Sequence, residues 1–576
     1  MVTVDLAALI ATLAGLTMLA LALAVWPRRA SSIDFYLAGQ RIGVVTNALA
    51  ICGDYFSAAS FLGVAAAVYV SGLDGVWYAT GFAAGFVPVL LFVAAPLRRF
   101  GQFSLPDFLG RRLDSDQVRL VAVGVVQIIV LSYLIPQAVA SGITWSLLVG
   151  SGVFGLDAYA TGVVVATTTI AGLVAFGGMR GTTWTQALQF VLMMAVLVWL
   201  AAVVLGDGFS YTGAVAELSR EPLRNPVLVD GRWQLQPVAN ALQSDAQARF
   251  DEPGARYSVL GQTMLLITLM LGTAGLPHVM NRYFTSPTGR EARRTTVWVL
   301  CAAGVFYMLA VMLGTAARSV IEQVADTTPW LADLSVDGVL RIPEHAMLAL
   351  GRLSAGQAGL ATIAIAALVA VISTMAGLLL AAAASWGHDT FAGVVNRRAT
   401  QEQVVLAGRL AVVGTAAFAA IVALRLEPSS LSALFPSAVA TMVTWAFAVA
   451  GSALTPVIIL SIWWRRTTAA GAIAGLLVGG ATAVSMFLIA LLRPDLSVAT
   501  LLLTPTPVAA PCAIVAAVAV SLRTEVPAGL PDMWVRLHGT AADRTAERLA
   551  RLTIRGVEPD PSSQAQPHVE GVGRRS

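Results

Sequence analysis

Lysine is absent from this sequence: all 36 lysine-or-arginine positions are arginine, which reads as a bias of genome composition and carries no functional weight. Charge of either sign is scarce. Only 12% of the 576 residues are charged, against about 25% in soluble globular chains, while 57% are hydrophobic and the mean hydropathy is +0.77. A polytopic membrane protein is the class these numbers indicate. The net charge of +4 and the pI near 9.1 do not point to nucleic acid, because the arginines are scattered between apolar runs. They report topology instead. Cysteine is nearly missing as well: Cys52, Cys301 and Cys512 stand singly in apolar stretches, which argues against a disulfide framework or a metal cluster. Enzyme signatures are lacking too, with no Gly-rich phosphate loop, no paired metal ligands and no nucleophile motif. A channel would need symmetric assembly around a pore, and the tail carries nothing resembling a sensor's output domain.

What the chain has is apolar length. Stretches of roughly 20 residues or more, enough to span a bilayer, fall near 4–26, 42–70, 76–96, 118–149, 158–177, 184–205, 258–281, 295–317, 356–385, 404–424, 432–463, 469–491 and 500–522. The sequence thus predicts an all-α protein of about thirteen transmembrane helices. In the first of them Asp5 precedes the apolar run and Arg28 and Arg29 follow it, the reverse of a signal-peptide pattern. Arginines at 28, 29 and 41, at 98, 99, 111 and 112, at 290, 293 and 294, at 397 and 398, and at 465 and 466 occupy alternate connections. By the positive-inside rule the N-terminus is expected outside and the C-terminus inside an inner membrane, with lipid as the surrounding partner. The long connections 206–257 and 318–355 weigh less here. The first of these suits either a short helix and lid or a tolerated insertion.

Four segments follow from this pattern: an extra N-terminal helix and link (1–33), a transport core (34–464), two peripheral helices (465–523) and a cytoplasmic tail (524–576). Gly471, Gly475 and Gly479 share one helix face and suit close packing. The tail stretch "TAADRTAERLARLTIR" suits a charged amphipathic helix.

Two spans are interrupted. The second carries "GDYFSAASFLG" (53–63) and the seventh "LMLGTAGLPHVMN", with Gly272, Gly275 and Pro277 inside it. Broken spans at corresponding places in two halves are the sequence pointer to a midplane binding site between inverted repeats. Spans two to six and seven to eleven have the lengths and orientations of a five-plus-five repeat. An unwound helix exposes carbonyls that suit a hard cation, and the half-helix after it presents N–H groups that suit an anion. Small residues at Ser57, Ala58 and Ala59 leave room there for a small solute, and Tyr133, Gln137 and Thr273 are placed to line the same cavity. Gln137 equally suits an interhelical hydrogen bond. Ser373 and Thr374, adjacent hydroxyls in apolar span nine, read as cation ligands beside a broken span two. Asp54 has two readings: long-range attraction of a cation or a proton-linked role, or a carboxylate held by backbone N–H groups at the break. His278, with Arg282 one turn on, suits a hydrogen bond at a helix end or a proton-coupling role. Arg180 reads as ordinary positive-inside charge, and Trp184 and Gln186 as interfacial or gate-adjacent packing.

Together "DFYLAGQ", "GDYFSAASFLG", "FSLPDFLGRRL", "GTAGLPHVMNRYFT" and "AVISTMAG" resemble the corresponding segments of the sodium:solute symporter family, most of all its acetate/monocarboxylate permease branch. The resemblance covers about residues 34–522. It implies a LeuT-like fold with sodium between the second and ninth helices, held by the carbonyls of Gly53, Phe56 and Ala370 and the hydroxyls of Ser373 and Thr374. In proline-transporting relatives the positions of Leu269 and Thr273 are aromatic, so a smaller substrate is implied. The expected activity is sodium-coupled symport of a small carboxylate such as acetate, propionate or pyruvate. The alternatives are an amino-acid symporter or a proton-coupled monocarboxylate carrier.

Overall fold

The computed structural model describes residues 32–539, apart from 41, 101–102, 243–245, 427, 429–436, 494–495, 497 and 528. The expected first span (4–26) and the charged tail stretch (540–555) lie outside the described residues. In chain order the main elements are α1 (Val44–Tyr55), α2 (Ala59–Ser71), α3 (Leu73–Phe100), α4 (Leu105–Arg112), α5 (Asp116–Leu148), α6 (Ala158–Gly206) and α7 (Tyr211–Leu218). The hairpin β1 (Arg224–Val229) and β2 (Arg232–Pro237) comes next, then α8 (Val259–Gly275), α9 (Pro277–Tyr283), α10 (Gly289–Val324) and α11 (Ala346–Ala383, carried on to Val395 by wider turns). The chain continues through α12 (Gln401–Ala423), α13 (Ala438–Trp463), α14 (Ala469–Leu492), α15 (Thr506–Ser521) and α16 (Leu530–His538). Among the described residues, eight helices are long and apolar enough to cross a membrane, or up to ten when each bent pair counts as one span.

Helix starts follow local side-chain chemistry. Ser104, Ser115, Asp157 and Ser258 each accept from a backbone N–H in the first turn of α4, α5, α6 and α8. Thr288 with Glu291 and Thr400 with Gln403 form complete capping boxes on α10 and α12. Helix α6 has 49 residues, about 74 Å at 1.5 Å per residue, more than twice a bilayer's hydrocarbon thickness. It is divided at Gly178, whose φ of 54° belongs to the left-handed region that glycine enters without a Cβ penalty. The division separates the two spans expected at 158–177 and 184–205. Gly471, Gly475 and Gly479 of α14 press against Ser521, Ala517 and Ser452 of the same chain, so the small-residue face is spent on internal packing.

The connection 206–257 is built rather than loose. Its hairpin turns at Asp230 and Gly231, both with positive φ (49° and 74°), the pairing a tight two-residue turn requires. Asn225 Nδ2 donates to Val70 O (2.8 Å), Arg318 Nη2 to Arg224 O (3.0 Å), and Leu73 N to Phe250 O (2.9 Å). Just beyond, the buried Asp74 accepts from the backbone N–H groups of Gly254 (3.2 Å), Arg256 (2.7 Å) and Tyr257 (2.9 Å) and from Gln262 Nε2 (3.0 Å). Arg256 reaches on to Ser437 Oγ and Thr441 Oγ1 at the start of α13.

Candidate binding site at two broken helices

The two interrupted spans are bent pairs. α1 and α2 meet at 67°, and α8 and α9 at 48°. At the first break Ser57 N–H turns to Tyr55 O, Ala58 N–H to Gln137 Oε1 (3.1 Å) and Ser60 N–H to Ser57 O. In a continuous helix those three donors would serve Gly53, Asp54 and Phe56. Their carbonyls are thereby released from helical pairing. Asp54 O accepts from Thr374 Oγ1 (2.8 Å), and Ser373 Oγ is buried without a partner among the described residues. A Cβ on Gly53 would lie 3.1 Å from Ser373 Oγ and 2.2 Å from Gln186 O, so only glycine lets α1 approach α11 and α6 this closely. Ala370 lies one turn before Thr374, fully buried. The Phe56 side chain points elsewhere, stacked on Phe306 with ring centroids 4.3 Å apart.

The second break has a different cause. Pro277 has no N–H to give Thr273 O, and Leu276 takes extended backbone (φ −68°, ψ 115°) before α9 begins. Gly272 and Gly275 do not make this break. A Cβ on either would fall within 2.6 Å of Phe447 O or Ala450 O, so they permit close packing of α8 on α13.

On the far side of the first break Tyr133 donates its hydroxyl to Ser57 Oγ (3.1 Å), one turn from Gln137 on α5. Ala59 opens α2 beside them. Gln137 therefore does make an interhelical hydrogen bond, yet its Nε2 is left without a partner. Thr273 is drawn away from Ser57: its hydroxyl pairs with Tyr55 OH (2.9 Å) and Leu269 O (2.9 Å) and lies against Gly85. None of the side chains of Asp54, Phe56, Ser57, Tyr133, Gln137, Thr273, Ser373 or Thr374 is more than 1% exposed. In this conformation these side chains are out of reach of solvent.

Among the described residues no backbone N–H holds the Asp54 carboxylate. Its Oδ2 pairs with Arg282 Nε on α9 (3.5 Å), its Oδ1 has no partner among the described residues, and a Cβ on Gly377 would fall 1.9 Å from it. Arg282 also donates to Thr183 Oγ1 (2.6 Å) and to Gln186 Oε1, while Gln186 Nε2 donates to Ser373 O (2.7 Å). A closed ring of α1, α9, α6 and α11 results. The packing reading of Gln186 thus gives way to a hydrogen-bonding one, although Trp184 is half exposed, as an interfacial residue would be. The available signals were the i, i+3 pairing of Thr183 with Gln186 and an arginine one turn past a broken helix's histidine. His278 is buried with both ring nitrogens unpartnered among the described residues.

A further group of Asp107, His388 and Asp389 lies at the arginine-rich end. There Arg111 and Arg119 pair with Asp107, and Ser104 Oγ donates to Asp389 (2.6 Å), so the carboxylates are already matched by protein donors.

The family model for sodium:solute symporters matches residues 35–479. A monocarboxylic acid transporter of Corynebacterium glutamicum is 31% identical over 475 residues, 81% of this chain and 80% of that protein. An uncharacterized symporter, YwcA, of Bacillus subtilis is 33% identical over 455 residues, 78% of this chain and 80% of that one. Among solved structures, a Na+-coupled sialic acid symporter in a substrate-bound outward-open state matches with a TM-score of 0.65 at 15% identity, over 90% of this chain and 98% of that one. That likeness is one of fold, the LeuT-like arrangement that the two broken helices already suggest. With the family match spanning most of the chain, this multi-pass membrane protein belongs to the sodium:solute symporter family and is a transporter rather than an enzyme.

Proposed function

We propose that this protein is a secondary active symporter of the inner membrane, N-terminus outside, that couples inward sodium flow to uptake of a short-chain monocarboxylate such as acetate, propionate or pyruvate. The observation that carries the proposal is the break at Gly53–Ala58. At this break carbonyls are released from helical pairing, Ser373 Oγ lies against Gly53 without a partner among the described residues, and the half-helix N–H of Ala58 already meets a side-chain oxygen. Sodium would take the carbonyls of Gly53, Phe56 and Ala370 with the hydroxyls of Ser373 and Thr374, the latter turning from Asp54 O. Five neutral oxygens suit a monovalent ion that must also be released. The carboxylate would lie by Ser57, Ala58 and Ala59, exchanging with Gln137 Oε1 at Ala58 N–H, with Tyr133 beside it. Asp54, paired with Arg282, would contribute charge balance near the ion rather than a ligand. The name of the Corynebacterium relative supports the substrate class.

Uptake of labelled acetate into proteoliposomes under imposed sodium or proton gradients tests this, with pyruvate, propionate and proline as competitors. Sodium-driven uptake blocked by the other monocarboxylates is expected. Uptake driven by protons alone would remove the sodium half of the proposal, and competition by proline alone would remove the substrate half.

A further inference from the structure

His278 has no task in the arrangement so far. It is the second residue of α9, directly after the break at Pro277, and is 2% exposed. A helix-end role would engage a ring nitrogen with a carbonyl or hydroxyl, but neither Nδ1 nor Nε2 has a partner among the described residues. Buried polar groups are satisfied in the great majority of cases because an unmade bond leaves the full desolvation cost. An imidazole with both nitrogens open therefore marks a place for something that arrives.

Its neighbours say what. The ring stands edge-on to Tyr133, centroids 5.4 Å apart, and Tyr133 is the residue whose hydroxyl donates to Ser57 at the first break. One turn along α5, Gln137 has its oxygen on Ala58 N–H and its Nε2 unpartnered. Gln137 Nε2 can only donate, and a neutral imidazole keeps one N–H in either tautomer. The second break thus sets an open imidazole against the tyrosine of the first, one helical turn from an open amide donor. Two buried donors around one tyrosine, each without a protein acceptor among the described residues, suit an anionic one.

We propose that His278 is a substrate-contacting residue, its ring N–H and Gln137 Nε2 together binding the carboxylate of the transported solute across the break from Ala58. This rests on the monocarboxylate reading and extends it: both broken helices, not one, hold the solute, so their relative movement changes its binding.

The test uses the full chain in proteoliposomes with labelled acetate and pyruvate under a sodium gradient, comparing wild type with His278→Ala, His278→Leu, His278→Asn and His278→Gln. Loss of a hydrogen bond to a charged group should raise KM about tenfold to a hundredfold in the Ala and Leu variants. Vmax should change far less, and sodium half-saturation not at all. His278→Gln, which retains an N–H at similar reach, should recover most of the affinity. If Ala and Leu fail to fold, the shorter His278→Asn should still show a higher KM than His278→Gln. Wild-type KM in every variant would mean that water satisfies the ring and would overturn the assignment alone. KM, sodium half-saturation and unfolding midpoint moving together would mean packing and overturn it too. A wild type that carries no monocarboxylate would overturn both this assignment and the proposed function.

Discussion

Two buried carboxylates, Asp74 and Asp54, are held by different materials. Asp74, under the 206–257 connection, is gripped by three backbone N–H groups and one amide side chain. Asp54, at the first break, is held by a guanidinium that also binds Thr183 and Gln186. A carboxylate clamped by successive backbone amides fixes the path of a loop and is released only when that loop unfolds. A ring of side chains can open by rotamer changes while every helix stays intact. The first is a staple and the second a latch. Because the latch includes Ser373 O and the broken helix bearing Gly53, opening it alters the proposed cation site directly.

Breaking the latch should have the largest effect. Asp54→Asn or Arg282→Gln alone strands a buried charge at a cost of about 3–5 kcal/mol, so uptake should vanish and the unfolding midpoint in detergent should fall. The double variant should regain stability without regaining uptake, and single variants that melt like wild type would show that no latch exists. Next comes the pair Ser373→Ala and Thr374→Ala, expected to raise sodium half-saturation by about tenfold, equivalent to about 1.4 kcal/mol. Unchanged sodium dependence would separate the latch from the cation. On the staple side, Asp74→Asn should cost about 1–3 kcal/mol of stability and leave the substrate KM alone. A raised KM there would mean that both carboxylates act as latches. Smallest in its effect on transport, Gly231→Ala puts a Cβ at a φ of 74°, a local cost of about 1–2 kcal/mol. Transport at wild-type rate is expected, and a slowed rate would make the hairpin part of the moving machinery.

The first break was legible because polar and small residues interrupt an apolar run within eleven positions, a local signal. The spans at 158–177 and 184–205 were legible from apolar length, and Gly178 falls between them. The latch was not legible, because Asp54 and Arg282 are 228 residues apart and only the fold brings them together. Nor could sequence spacing distinguish a capping histidine from an unpartnered one, since that depends on what α5 places opposite His278. Gly272 and Gly275 were read as part of a break when their neighbours on α13 explain them. The Asp230–Gly231 turn signal is local and readable, yet a hydrophobicity scan passes over it because the hairpin is half polar and mostly exposed.

The bond from Ala58 N–H to Gln137 Oε1 has a consequence for the other half of any alternating-access cycle, the journey back with nothing aboard. In the proposed site an amide oxygen already stands where a solute oxygen would come, so the empty carrier would not travel with a naked half-helix end. Loading, on that proposal, would be an exchange of acceptors instead of a first encounter. Gln137 is in that sense a resident passenger, giving up its seat when the solute boards.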